Sequence, residues 1–166
     1  IHPLAAVEIN EKAVKWLAKN FRGRILFTSS CSLYGSNENL LEESAPPKPL
    51  SLYATTKINA ERYLKNHPNT IIFRLGTAFG VSDTYTRLRT DLLVNTLTAS
   101  ALTRGAITVF GGSQRRPLIH VRNIAFTLVH NLFTKKTGIY NIATGNYEVR
   151  NVAQLVKNRT GCKIHF

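Results

Sequence analysis

The chain has 166 residues, 43% of them hydrophobic, and 22 Lys and Arg against 9 Asp and Glu give it a formal net charge of +13. That length suits one domain with a core of its own; no apolar run approaches the ~18 to 20 residues that cross a bilayer, and the opening IHPLAAVEIN lacks the features of a signal peptide. A cytoplasmic location and no membrane partner are therefore expected. Two cysteines, Cys31 and Cys162, exclude a disulfide framework and, lying outside any Cys/His cluster, point to no zinc site.

The elements alternate between helical patterns and short apolar runs, the mark of an α/β protein with a mainly parallel sheet. NEKAVKWLAKN predicts a helix over residues 10–20 with Asn10 as its cap, and RILFTS a buried strand after it. A loop rich in Asn, Glu and Pro, YGSNENLLEESAPPKPL, leads into a helix whose first turn holds Tyr53. NTIIFRLG is a second buried strand and TAFGVSDTYTRLRTD a long polar loop, the kind that carries function inside a compact domain. The helix LLVNTLTASALTRG follows, then strands AITVFG and PLIHV around the turn GSQRR. RNIAFTLVHNLF reads as an amphipathic helix, GIYNIATG as a strand ending in a Gly turn, VRNVAQLVKNRTG as the last helix and CKIHF as a closing strand. The basic residues are scattered through these segments without aromatic interleaving or a helix-turn-helix pattern, which disfavours nucleic acid as a partner and leaves an anionic ligand or a missing acidic segment to account for the charge.

Two features carry chemistry. The first strand ends in TSSCSLYG, a hydroxyl-rich turn at the carboxyl end of a strand, where open parallel sheets bind ligands. Ser30 there either bonds a substrate oxygen or only caps the next turn. In SLYATTKINAERYL, Tyr53 and Lys57 lie four apart on one helical face. A free phenol ionises only near pH ~10. A neighbouring ammonium favours the phenolate and lowers that value toward the range of a working base.

The order of these motifs resembles the active-site signature of the short-chain dehydrogenase/reductase superfamily, and more closely its extended branch, the NAD-dependent epimerase/dehydratase family of nucleotide-sugar enzymes. FTSSCSLYG looks like the family's serine turn, LYATTKINAE like its YxxxK helix and FRLGTAFGVS like its arginine-bearing strand and loop. ITVFGGSQRRPLIHVRNIA resembles its substrate segment, and GIYNIATG its returning strand. The implied fold is α/β, a Rossmann-like parallel sheet flanked by helices, truncated at the N-terminus and carrying part of a small C-terminal substrate-binding region. Residues 1–80 would be the remainder of the NAD-binding domain and 81–166 a mixed region with substrate-binding segments.

The resemblance implies that Tyr53 takes a proton from a sugar hydroxyl while hydride passes to NAD (NADP being the alternative), giving a transient keto-sugar. Ser30 would hold the same hydroxyl, and Lys57 the nicotinamide ribose. For the nucleotide-sugar substrate it implies Arg116 on the diphosphate, where a planar guanidinium suits bidentate binding. Asn95 and Phe110 would meet the nucleotide and its base, Thr77 would stand where the family has Asn, and Arg89 would reach the sugar. Phe110 reads equally as a core aromatic, Asn95 as the satisfier of a helix end and His120 as a structural histidine. Asn123 stands where the family has Asp. Dehydratases place an Asp-Glu pair at the positions of Cys31 and Ser32, so an epimerase or reductase is expected. The family also implies a homodimer through paired helices, one bearing YxxxK.

No glycine-rich phosphate loop occurs in these 166 residues. IHPLAA resembles the strand end that follows that loop in the family, with a shortened helix after it. The expectations are an enzyme that works when the cofactor-binding segment is supplied, or a non-catalytic relative that binds an anionic ligand or a protein partner.

Overall fold

In the computed structural model, which describes residues 3–37, 39–81, 83–85 and 87–166, the chain forms two compact units. One comprises residues Ile1–Leu75 and Phe126–Ile142, the other Gly76–Ala125 and Ala143–Phe166. The chain passes from the first unit to the second after Leu75, back at Phe126 and across again after Ile142. The return of 126–142 to the first unit follows from strand pairing.

The first unit opens with helix α1 (Pro3–Val7), which runs through a π-helical turn at Glu8–Lys12 into α2 (Ala13–Asn20). Proline suits a first helical turn because its missing N–H needs no partner there. Asn10 is therefore not a cap: it lies inside the π-helical turn and donates to Thr56 Oγ1 at 3.4 Å. Ile1 and His2, the first two residues of the expected strand end IHPLAA, lie outside the described residues; from Pro3 onward the segment is helical.

Strand β1 (Ile25–Ser30) passes into a 3-10 turn at Cys31–Tyr34. Helix α3 (Leu52–Leu64) follows the Pro-rich loop, its first turn capped by Ser51, whose Oγ accepts the N–H of Ala54 at 3.2 Å. Strand β2 (Thr70–Leu75) pairs in parallel with β1, placing Ser30 opposite Leu75. Val14, Leu17, Ala18 and Leu64 pack on Ile25, Phe27, Ile72 and Ile139, so α2 and α3 cover one face of this sheet.

In the second unit, residues expected as loop form β3 (Thr77–Phe79). The tripeptide is drawn into a strand by parallel pairing with Leu118–His120, which propensity within the segment could not reveal. Helix α4 (Leu93–Arg104), strand β4 (Ala106–Thr108) and strand β5 (Arg115–His120) follow. Helix α5 (Val121–Leu132) then carries the chain back to the first unit. There β6 (Gly138–Ile142) joins β2 in parallel, completing the order β1-β2-β6.

The chain re-enters the second unit as β7 (Gly145–Glu148), antiparallel to β5, then α6 (Val149–Thr160) and β8 (Lys163–His165), parallel to β4. The apolar faces of α4 and α6 meet there: Leu97, Ala101, Val152, Ala153 and Val156 bury with Ile107, Val109, Leu118 and Cys162. Among the described residues no helix is long and apolar enough to cross a membrane.

Candidate active site

Ser30, Tyr53 and Lys57 all belong to the first unit. Ser30 is the last residue of β1, with extended φ and ψ of −146° and 142°, and its Oγ accepts the N–H of Ser32 at 3.2 Å. The Ser32 hydroxyl donates to the same oxygen at 2.9 Å. The capping reading of Ser30 therefore holds. Both bonds use its oxygen as acceptor and leave the hydroxyl proton for a ligand.

Gly35 closes the turn at φ 73° and ψ −149°, and the returning loop crosses directly over it. A Cβ at this position would stand 2.2 Å from the Lys48 main-chain oxygen, and Lys48 N–H donates to Leu33 C=O at 2.9 Å. The glycine is required twice, by backbone conformation and by close approach.

Helix α3 buries Ala54, Thr56, Ile58, Ala60, Glu61 and Leu64, while Tyr53 on its first turn stays 44% exposed. One turn later Lys57 extends toward β1. Its Nζ donates to the Thr28 main-chain oxygen at 2.8 Å, 4.7 Å from the Phe27 ring centre and 5.8 Å from that of Tyr53. Burial lowers the Lys57 pKa from the ordinary 10.5, and the Glu61 carboxylate opposes that shift. The helix thus brings the cation and the phenol ring together, as their i, i+4 spacing requires.

Beneath these residues runs a buried polar network that the sequence reading did not assign. Arg74 Nε and Nη2 bond both oxygens of Glu61, the closest approach being 2.7 Å, and Ser29 Oγ donates to Glu61 Oε1. Arg74 Nη1 donates to Tyr34 Oη at 2.8 Å and to the Glu43 carbonyl at 2.9 Å. Tyr34 in turn donates to Asn141 Oδ1 at 2.8 Å, and Asn141 N–H to Glu43 Oε1 at 2.6 Å, which holds the Glu43 carboxyl below its usual range. The available signal was an arginine inside the apolar strand TIIFRL: a charge buried there needs a partner.

The substrate candidates all lie in the second unit. Thr77 sits in β3 opposite Leu118. Arg89 forms a bidentate pair with Asp91, with Nε and Nη2 each 2.7 Å from its oxygens. The Asn95 amide is occupied by the protein: Oδ1 accepts Gly80 N–H at 3.1 Å and Nδ2 donates to the Arg89 carbonyl at 3.0 Å. Phe110 is 85% exposed, against the reading of it as a core aromatic. Arg116 is exposed on β5, opposite Tyr147, and among the described residues no carboxylate lies within ion-pair distance of it. His120 accepts the N–H of Arg122 at 3.1 Å and stacks edge-on with Phe79 at 5.1 Å.

A model of the NAD dependent epimerase/dehydratase family matches residues 4–143. The chain belongs to that family. An ADP-L-glycero-D-manno-heptose-6-epimerase of Brachyspira hyodysenteriae is 29% identical over 141 residues, covering 75% of this chain and 42% of that protein. The solved ADP-L-glycero-D-manno-heptose-6-epimerase of Helicobacter pylori superposes with a TM-score of 0.85 at 18% identity, over 99% of this chain and 56% of that one. The UDP-glucuronic acid 4-epimerase of Bacillus cereus, solved with UDP-glucuronic acid and NAD, gives 0.78 at 25% identity, over 96% and 55%. This member of the epimerase/dehydratase family spans less than half of the first relative and little more than half of the two solved ones.

Proposed function

We propose that the chain carries the catalytic part of an NAD-dependent nucleotide-sugar epimerase or reductase. The observation that carries this reading is the Lys57 ammonium. Helix α3 sets it one turn from Tyr53 and bonds it to the strand that ends in Ser30.

In this reading Tyr53 removes the proton of a sugar hydroxyl. The Lys57 charge stabilises the phenolate that this requires, since an opposite charge nearby favours the ionised form. The Ser30 hydroxyl, already holding the turn through its oxygen, would donate a hydrogen bond to the substrate oxygen and orient it, keeping its own proton. Bound NAD would supply the hydride chemistry that the chain's own side chains lack. Tyr53 and Lys57 suit the nicotinamide-ribose end of that cofactor, a phenol and an ammonium one turn apart on α3 with the ammonium bonded to β1. The sequence holds no glycine-rich cradle for its pyrophosphate, so the affinity of the chain by itself is the quantity to measure.

The exposed Phe110 ring and Arg116 guanidinium are the substrate contacts this reading favours, for base stacking and for phosphate. Arg89 and Asn95 have protein partners that a substrate would have to displace. The presence of Ser32 and Cys31 after Ser30, rather than two carboxyl groups, supports epimerisation or reduction over dehydration.

Calorimetric titration of the purified chain with NAD, alone and with UDP-glucuronic acid, tests the reading. Heat of binding that is lost or weakened in Lys57→Ala is the expected result. Absence of binding at millimolar cofactor would overturn the claim that this chain works as an oxidoreductase. Where turnover is measurable, Tyr53→Phe should abolish it and leave the fold intact.

A further inference from the structure

We propose that Glu61 is a positioning residue for the site: held by Arg74 and Ser29, its carboxylate keeps Lys57 a charged ammonium beside Tyr53. The inference rests on the role proposed for Lys57 and adds the residue that sustains it.

Glu61 is 6% exposed, and its two oxygens accept from Arg74 Nε and Nη2 and from Ser29 Oγ, so the carboxylate has one orientation. It follows Lys57 by four residues on α3, which puts the two side chains on the same face of the helix. Lys57 itself is part-buried, donating to Thr28 C=O and flanked by the rings of Phe27 and Tyr53. In such surroundings an ammonium loses its proton more readily, and Glu61 is the acidic group that counters this. The charged and titratable groups facing Glu61 from other elements are Arg74 on β2 and, through Arg74, Tyr34 of the 3-10 turn and Glu43 of the loop.

The pair serves more than filling space. Two apolar side chains of similar volume often stabilise a core as well as a buried ion pair does, but they would supply no charge one helical turn below Lys57. The same anchoring fixes Ser29, the neighbour of Ser30, so one carboxylate is tied to both sides of the site.

The test uses the chain itself and needs neither cofactor nor turnover, so its result is independent of whether NAD binds. The Lys57 ammonium is titrated by NMR on the side-chain ε carbon, assigned through Lys57→Met, in wild type, Glu61→Asp and Glu61→Gln. Glu61→Gln keeps the volume and a hydrogen-bonding oxygen and removes the charge; Glu61→Asp keeps the charge and withdraws it by one methylene. The expected result is a downward shift of the Lys57 titration, larger in Gln than in Asp. Should Glu61→Gln fail to fold, the shift in Glu61→Asp decides by itself. A purely structural ion pair would lower the unfolding midpoint and leave Lys57 titrating as in wild type, and that outcome overturns the proposal.

Discussion

Lys57 Nζ bonds the main-chain oxygen of Thr28 at 2.8 Å, which fastens the helix bearing Tyr53 to the strand ending in Ser30. Burial holds its pKa below 10.5, with Glu61 opposing. Between the lowered value and 10.5 the unfolded chain binds more protons than the folded one, so Lys57 makes stability rise with pH across that window. Lys57→Met should remove this rise. Urea unfolding followed from neutral pH to ~10 should show wild type gaining on the variant; a constant difference would contradict the assigned burial.

The Arg74 and Glu61 side chains are 6% and 7% exposed, and their pair closes at 2.7 Å. Removing one partner leaves the other charge buried without compensation, so Arg74→Ala should cost ~3 to 5 kcal/mol. The double variant Arg74→Met with Glu61→Leu should recover much of that loss. Denaturant titration of the three proteins checks it: a double variant no more stable than the single one would mean that the guanidinium matters chiefly through Tyr34 and the Glu43 carbonyl.

Asp91 titrates at about 2 because Arg89 donates two hydrogen bonds to it. Both groups are exposed, so the pair adds little to stability, yet it occupies the guanidinium expected to reach a sugar. In Arg89→Gln the Asp91 carboxyl should return toward 3.8, which carboxyl-carbon NMR against pH reads directly. If a nucleotide sugar draws Arg89 away, the same upward movement should appear in wild type on adding it.

Much of this arrangement was legible from residue order. The alternation of helical patterns with short apolar runs pointed to the sheet and its helices, and i, i+4 spacing placed Lys57 over Tyr53. What escaped depended on partners distant in the chain. Thr77–Phe79 becomes a strand only because Leu118–His120 lies beside it. Asn10 looked like a cap because capping is judged locally, and its helix had already begun seven residues earlier at Pro3. Arg74 could be suspected from its apolar strand, but its pairing with Glu61 spans the β2 and α3 packing, which no local pattern encodes.

The turn that holds Ser30 offers a comparison between two glycines with nearly the same φ. Gly35 lies at φ 73° and ψ −149°, and a Cβ there would stand 2.2 Å from the Lys48 oxygen. Gly105, which ends α4, lies at φ 64° and ψ 8°, with nothing within 4 Å of such a Cβ. Asn tolerates the left-handed conformation of Gly105, so Gly105→Asn should cost less than ~1 kcal/mol. At Gly35 the ψ value is one that only glycine adopts readily, and the loop backbone blocks any side chain. Gly35→Asn and Gly35→Ala should both cost more than ~2 kcal/mol, since the conformation and the clash act together. Thermal unfolding ranks the variants. If Gly35→Asn were as mild as Gly105→Asn, the loop would not rest on the turn as described, and the support of Ser30 from that side would have to be withdrawn.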